Sequence, residues 1–582
     1  MIRSRSGRAP IRRHVAIPRA SALAIVLLAA CAAQPRAIRG EEKMSQGRSV
    51  VHARHGMVAA AHPLAVQIGL DVLERGGNAV DAAIATNAAL GFLEPVSCGV
   101  GGDLFAMVWD AKSRKLYGLN GSGRAPRALT ADRVPPEKDG TIPLFSPYAW
   151  TVPGAVDGWF TLHDRFGRLP MSDVLSGAIA AATEGAPVPK VIAESWAISE
   201  HYFADKPGFA EVFLPHGHAP REGEVFANPA LARTYRALAE GGRDAYYAGP
   251  IADALVAFSR EVGGFYAKED FTAHHSDWVE PISTTYRGVE VWELPPNGQG
   301  LAALQMLNML EPLDLRSLGR DSPAFWHRMV ETKKVVYEDR ARLYADPAFA
   351  KVPVAGLLDR GYARARAALI DPERALDRID AGHPPLALGD TTYLATADGE
   401  GNMVSLIQSN YIGFGSGYVL AEWGFGIQDR GGQFNLMPGT PNFLEPGKRP
   451  FHTIIPAFAT RGGEPWLAFG VMGGDMQPQG HVQVLVNLLD FGMDLQQAGD
   501  APRFYHTGSS EPTGTLMTTG GRLALEPGVP EHVKKALEKL GHDVVEMPTG
   551  LFGGYQAIAR DPVTGVLSGA TESRKDGCAA GY

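Results

Sequence analysis

Several things are scarce in this 582-residue chain, and each scarcity excludes something. There are three cysteines, Cys31, Cys98 and Cys578, too few for a disulfide framework to stand in for a hydrophobic core. A Cys98–Cys578 bridge stays open, and small buried thiols are the plainer reading. Basic excess is missing. Lys and Arg number 55 against 63 Asp and Glu, a net charge of −8, and the pI is near 6.1, without the basic footprint of a nucleic-acid binder. The apolar run over residues 21–30, about ten residues, is too short to cross a bilayer as a helix. The Gly-rich turn Gly99-Val100-Gly101-Gly102 has no Lys-Ser/Thr after it, so it does not read as a phosphate loop. His274-His275 and His452 lack carboxylates at ligand spacing. Neither a metal nor an organic cofactor is expected. Internal repeats and low-complexity tracts are also lacking. What remains is 45% hydrophobic and 20% charged, ordinary for a globular protein, and the length suggests several domains.

The first 40 residues read as an export segment. Arg3, Arg5, Arg8, Arg12 and Arg13 precede the apolar run, the layout of a secretory signal. Leu28-Ala29-Ala30-Cys31 resembles a bacterial lipoprotein box, which would lipidate Cys31. An ordinary signal peptide cut near Ala32 or Ala33 is the alternative. Either way the expectation is a bacterial protein exported to the periplasm or anchored to the membrane through Cys31. Residues 36–48 read as a polar tether.

Farther on, Pro63 suits the first turn of a helix carrying Leu64, Ile68 and Val72, which Gly76 ends. Asn78 with Asp81 three residues on reads as a capping box for an Ala-rich buried helix over residues 79–90. Residues 104–109 read as a buried strand. Residues 151–350 read as mainly helical. Within them a helix over residues 326–343 has apolar Met329, Val330, Val335 and Val336, while Asp339 and Arg340 read as a solvated face.

The stretch with the most chemistry is Gly389-Asp390-Thr391-Thr392-Tyr393-Leu394-Ala395-Thr396-Ala397-Asp398. Pro384 and Pro385 bar a helix before it. From Thr391 the residues alternate with the period of a strand. Residues 398–402 form a turn and residues 403–411 return as a second strand. Two threonines opening a strand are ordinary by themselves. Cleavage of the Asp390–Thr391 peptide bond would, however, give Thr391 an α-amine beside its own hydroxyl. Such an amine has a pKa of about 7.7–8.0 and can serve as the general base for Oγ1.

This stretch resembles the autocleavage site of the γ-glutamyltranspeptidase family of N-terminal-nucleophile (Ntn) hydrolases. His55-Gly56-Met57-Val58, Ala61-His62-Pro63-Leu64-Ala65, Gly76-Gly77-Asn78-Ala79-Val80-Asp81-Ala82-Ala83, Glu94-Pro95, Gly101-Gly102, Val152-Pro153-Gly154, Asp346-Pro347 and Arg574-Lys575-Asp576-Gly577-Cys578-Ala579-Ala580-Gly581-Tyr582 extend the likeness over roughly residues 51–582. The resemblance implies an α+β fold, an αββα four-layer sandwich built from both autoprocessed subunits. A large chain of residues 41–390 and a small catalytic chain of residues 391–582 would form one joint globular heterodimer. It also implies Thr391 as nucleophile and α-amine base, Ser409 as its hydrogen-bond partner, and Gly473 and Gly474 as oxyanion donors.

The substrate positions depart from the family. Ser122 stands where the family has a carboxylate-binding Arg, with Arg124 two residues away. Gln433 replaces the Asp that pairs with the glutamyl α-amine. His452 and Thr453 replace two Ser, Tyr411 stays among the candidate binding residues, and Arg430 stands for a Gln. An ammonium stripped of its carboxylate partner costs several kcal/mol, whereas Arg suits a carboxylate. The segments 120–126, 296–300 and 473–480 resemble the oxamate amidohydrolase and acylase-like branch. The expected activity is therefore cleavage of a small carboxylate-bearing amide through an acyl-enzyme. A true γ-glutamyltransferase or glutathione hydrolase is the alternative within the family, and a non-catalytic secreted scaffold the alternative outside it.

Overall fold

A computed structural model describes residues 47–377 and 390–582. Cys31, the first 40 residues expected to direct export, and the Pro384-Pro385 stretch lie outside the described residues. Residues Ser49–Tyr582 form one compact unit.

Two seven-stranded antiparallel sheets make its centre. The first runs Cys578–Gly581, Gly56–Ala60, Asp390–Asp398, Met403–Tyr411, Asp103–Asp110, Lys115–Gly121, Asp277–Val279. The second runs Val51–Ala53, Leu567–Thr571, Gly554–Arg560, Glu464–Met472, Ala457–Arg461, Val289–Glu293, Ile282–Tyr286. Strands from either side of position 390 occur in both sheets. The helices Pro63–Glu74 and Ala79–Leu93 cover the first sheet; Gly300–Leu310, Met476–Leu489 and Leu495–Asp500 cover the second. The order of layers is thus helix, sheet, sheet, helix, the αββα sandwich that the resemblance implied.

Local sequence accounts for the framework of the site. Asn78 Oδ1 accepts from the N–H groups of Val80 and Asp81, and Asp81 Oδ2 accepts from Asn78 N–H at 3.0 Å, closing the capping box. The helix it starts is buried along its whole length and reaches Leu93. Alternation decides what each side of the strand Asp390–Asp398 meets. Thr392 Oγ1 donates to Glu94 and Thr396 Oγ1 to Ala79 O, toward that helix. Tyr393 points the other way, against Gly470 of the second sheet, where only a glycine leaves room for the ring.

The helix Pro323–Leu343 differs from expectation. Its charged residues are not a solvated face: Glu331, Lys333, Lys334, Glu338, Asp339 and Arg340 are all buried. They pair with one another and with the loops packed over them, which burial of charge requires. Cys98 and Cys578 are not bridged to each other.

Candidate active site

Thr391 begins the middle of the first sheet and is 1% exposed. Its Oγ1 lies 3.2 Å from Ser409 Oγ on the neighbouring strand. The pairing of these two strands shifts register between Asp390 and Thr392, so the irregularity of the ladder falls at Thr391. Ser409 Oγ accepts from Tyr411 N–H at 2.8 Å and from Arg430 Nη2 at 3.1 Å. Arg430 Nη1 donates to Thr453 Oγ1 at 2.7 Å, and the guanidinium lies 4.4 Å from the centre of the Tyr411 ring. Gln433 Nε2 donates to Tyr411 OH. Thr391, Ser409, Arg430, Thr453, Tyr411 and Gln433 therefore form one contiguous polar cluster.

Arg430 is fully buried. Burial pushes its pKa down to about 10, with Asp103 opposing, so it stays charged at neutral pH. Its Nε has no hydrogen-bond partner among the described residues.

The strand Glu464–Met472 ends in the turn Gly473-Gly474-Asp475, and the helix Met476–Leu489 begins there. Gly473 has φ +120° and Gly474 φ +55°, conformations that favour glycine. The turn is tied to the cluster because Gln299 Nε2 donates both to Gly474 O and to Thr453 O. Tyr411, Gln433, Asp475, Glu511 and the segment Thr141 to Phe145 line a cavity of about 640 Å³ beside it. Burial pushes the Glu511 carboxyl up to about 8, although Arg340 pulls it down.

Two expected contacts take other partners. His452 Nε2 bonds Asp103 Oδ2 at 3.1 Å, its Nδ1 accepts from Ile454 N–H, and its ring packs on Phe105. Burial holds it neutral, so its polar atoms serve the framework. Arg124 donates to Asp277 Oδ2 and His275 O, and is not drawn to the Thr391 cluster. Ser122 is buried, its hydroxyl donating to Asn120 Oδ1 and accepting from Asn297 Nδ2.

Several residues were not singled out from sequence. Asp103 Oδ1 accepts from Gly123 N–H, Gly154 N–H and Gln428 Nε2; burial pushes this carboxyl up to about 6 against those bonds. A charged residue opening an otherwise apolar strand was the available signal. Asn297, Gln299 and Asp475 fell within the segments 296–300 and 473–480 that carry the resemblance, without individual roles. Arg340 and Glu511 had no comparable signal, since their partners are remote in sequence. Among the described residues His327, Glu331 and His542 alone lie close enough to share a metal ion. Lys334 Nζ sits 2.8 Å from Glu331 Oε1 and already supplies positive charge there. His327 Nδ1 and His542 Nε2 bond each other at 2.9 Å, so the group reads as a polar knot.

The γ-glutamyltranspeptidase family model matches residues 65–582. The chain is 36% identical over 539 residues to a glutathione hydrolase-like YwrD proenzyme of Bacillus subtilis, covering 92% of this chain and 99% of that protein. It is 34% identical over 536 residues to an oxamate amidohydrolase proenzyme of Klebsiella pneumoniae, covering 91% and 98%. The crystal structure of a cephalosporin acylase from Bacillus halodurans superposes with a TM-score of 0.85 at 42% identity, covering 94% of this chain and 99% of that one. The chain belongs to the γ-glutamyltranspeptidase family and is an autoprocessing Ntn amide hydrolase.

Proposed function

We propose that Thr391 is the nucleophile of both self-cleavage and turnover, and that the substrate is a small amide whose acyl part carries a carboxylate. The observation that carries this is the row Thr391–Ser409–Arg430–Thr453, tied through Gln299 to the Gly473-Gly474 turn. In self-cleavage Thr391 Oγ1 attacks the carbonyl carbon of Asp390 and the C–N bond breaks. The Thr391 nitrogen leaves as an amine, and water hydrolyses the ester to the Asp390 carboxylate and a free hydroxyl. Residues 41–390 and 391–582 then stay together as large and small subunits, since both contribute strands to both sheets.

In turnover the α-amine takes the Oγ1 proton while Oγ1 attacks the amide carbonyl. The N–H groups of Gly473 and Gly474 receive the negative charge; one such donor is typically worth about 3–4 kcal/mol of barrier. The departing amine takes the proton back, and water or an acceptor amine releases the acyl group. Arg430 receives the substrate carboxylate, with Thr453 and Tyr411 beside it. Gln433 and Ser122 offer a glutamyl group neither the carboxylate nor the guanidinium that the family resemblance implies. A second reading, γ-glutamyl transfer or hydrolysis, draws on Asp475 and Glu511 lining the cavity, where they would face an ammonium. Kinetics with oxamate, glutaryl amides and γ-glutamyl-p-nitroanilide separate the two; marked preference for the last would sink the first reading.

The same proposal places the mature protein outside the cytoplasm, anchored through lipid on Cys31. The basic start, apolar run and Leu28-Ala29-Ala30-Cys31 support it. Labelling of cells with a radioactive fatty acid should mark the wild type and not Cys31→Ser; equal labelling of both would contradict it.

A further inference from the structure

One short loop of the large chain joins the Ser122, His452-Thr453 and Gly473-Gly474 segments of the site. It is Asn297-Gly298-Gln299, between the strand Val289–Glu293 and the helix Gly300–Leu310. Asn297 and Gln299 are both 0% exposed. Asn297 Nδ2 donates to Pro450 O at 2.8 Å and to Ser122 Oγ at 3.2 Å, its Oδ1 accepts from Asn120 Nδ2 at 2.8 Å, and its carbonyl accepts from His452 N–H at 2.9 Å. Gln299 Nε2 spends its two protons on Thr453 O at 2.7 Å and Gly474 O at 2.9 Å. Gln299 Oε1 accepts from Arg340 Nη1 at 2.6 Å. Every donor of this amide is used, and its orientation is fixed: a flipped amide would set its oxygen against two carbonyls and its NH2 against a guanidinium.

Arg340 is also fully buried and held on its other sides. Its Nη1 donates to Asp475 Oδ1 at 2.7 Å and its Nη2 to Glu511 Oε2, while Tyr337 OH donates to Asp475 O. Burial works against the charge, but Glu511 and Asp475 together raise the Arg340 pKa. The Gly474-Asp475 peptide is thus gripped from the carbonyl of Gly474, the side chain of Asp475 and the carbonyl of Asp475. Asp475 C=O and Met476 N–H share one planar peptide, so the Tyr337 bond also aims Met476 N–H at Gly473 O, 3.0 Å away. Gly473 C=O and Gly474 N–H share another plane, so the Gly474 N–H is fixed in turn, while Gln299 on Gly474 O holds the peptide between them.

We propose that Gln299, held by Arg340, is the positioning residue that sets the oxyanion turn in register with the Thr453–Arg430 carboxylate grip, across the boundary between large and small chains. Gln299 touches neither the reacting atoms nor the substrate. This rests on the assignment of Gly473 and Gly474 as oxyanion donors. Preorganised donors contribute in the transition state more than in the ground state, so loss of Gln299 should appear in kcat.

The test uses the self-cleaved full-length enzyme and the best amide of the panel above. Gln299→Glu keeps size and the acceptor for Arg340 but loses both donors. It should lower kcat by about 10–100-fold, with KM within about threefold. Gln299→Met, which removes the donors without adding charge, should do the same if the Glu variant does not fold. Gln305→Glu is the matched control, another buried glutamine whose Nε2 bonds Asp339 and whose Oε1 accepts from Tyr344. It should cost thermal stability and leave kcat at the wild-type value. A kcat within twofold of wild type for the Gln299 variants, or an equal loss in Gln305→Glu, overturns the proposal. A crystal structure of Gln299→Glu, or of the Met variant, gives a readout that needs no substrate. The Gly474 carbonyl should be turned away from residue 299, and an unmoved turn also overturns the proposal. If the wild type cleaves none of the amides, the proposed function falls, and the crystal comparison still decides the role of Gln299.

Discussion

Arg430 keeps its charge inside the protein because hydroxyls, an aromatic face and Asp103 surround it in place of water. A planar fork suits that setting better than an ammonium. Arg430→Lys should therefore raise KM for oxamate by about 10-fold and Arg430→Met by about 100-fold, the range of a charge-assisted hydrogen bond. An uncharged amide should be much less affected, and equal losses on both would remove Arg430 from substrate binding. Its neighbour Asp429 makes a second residue-scale prediction. Burial pushes this carboxyl up to about 8, against Ile412 N–H and Arg430, and its Oδ2 has no hydrogen-bond partner among the described residues. An unfolded Asp loses its proton near pH 3.9. Between about pH 4 and 8 the folded state thus holds a proton that the unfolded state lacks, and stability falls as pH rises. Asp429→Asn removes that loss, so its Tm advantage over wild type should grow from pH 5 to pH 8. A difference that stays constant across that range would contradict the assignment.

At the scale of elements, two glycines of one strand-to-turn segment do different things. Gly470 lets the Tyr393 ring lie against the second sheet; Gly470→Ala would drive a Cβ into that ring and should cost about 1–3 kcal/mol in a denaturation series. Gly473 takes φ +120°, and an added Cβ would lie 3.2 Å from Gly553 Cα. Gly473→Ala should lower kcat about 100-fold with a smaller loss of Tm, whereas unchanged kcat would remove this turn from catalysis. The hairpin of residues 390–411, the capping box at Asn78 and the strand at 103–110 were legible in sequence because short-range signals fix them: alternation, caps and turn residues. The helix Pro323–Leu343 was misread at Asp339 and Arg340 for the opposite reason. Helical periodicity tells which residues share a face, but not whether a charged face meets water or, as here, Glu511 and Asp475 more than 130 positions away. The same limit hid Gln299, whose role exists only through partners that the fold brings to it.

For the whole molecule, the interleaving of the two chains sets what cleavage does. Both sheets contain strands from before and after position 390, so a cut there releases no domain. Active protein should elute as one species and run on a denaturing gel as bands of about 40 and 20 kDa, sizes set by residues 41–390 and 391–582. Thr391→Ala should run as a single band, and splitting at that position in the variant would contradict the nucleophile assignment. The most direct test is intact-mass spectrometry of catalytically active protein. A polypeptide beginning with an unblocked Thr391 and ending at Tyr582 is the predicted result; full activity from material containing only the unbroken chain would contradict it.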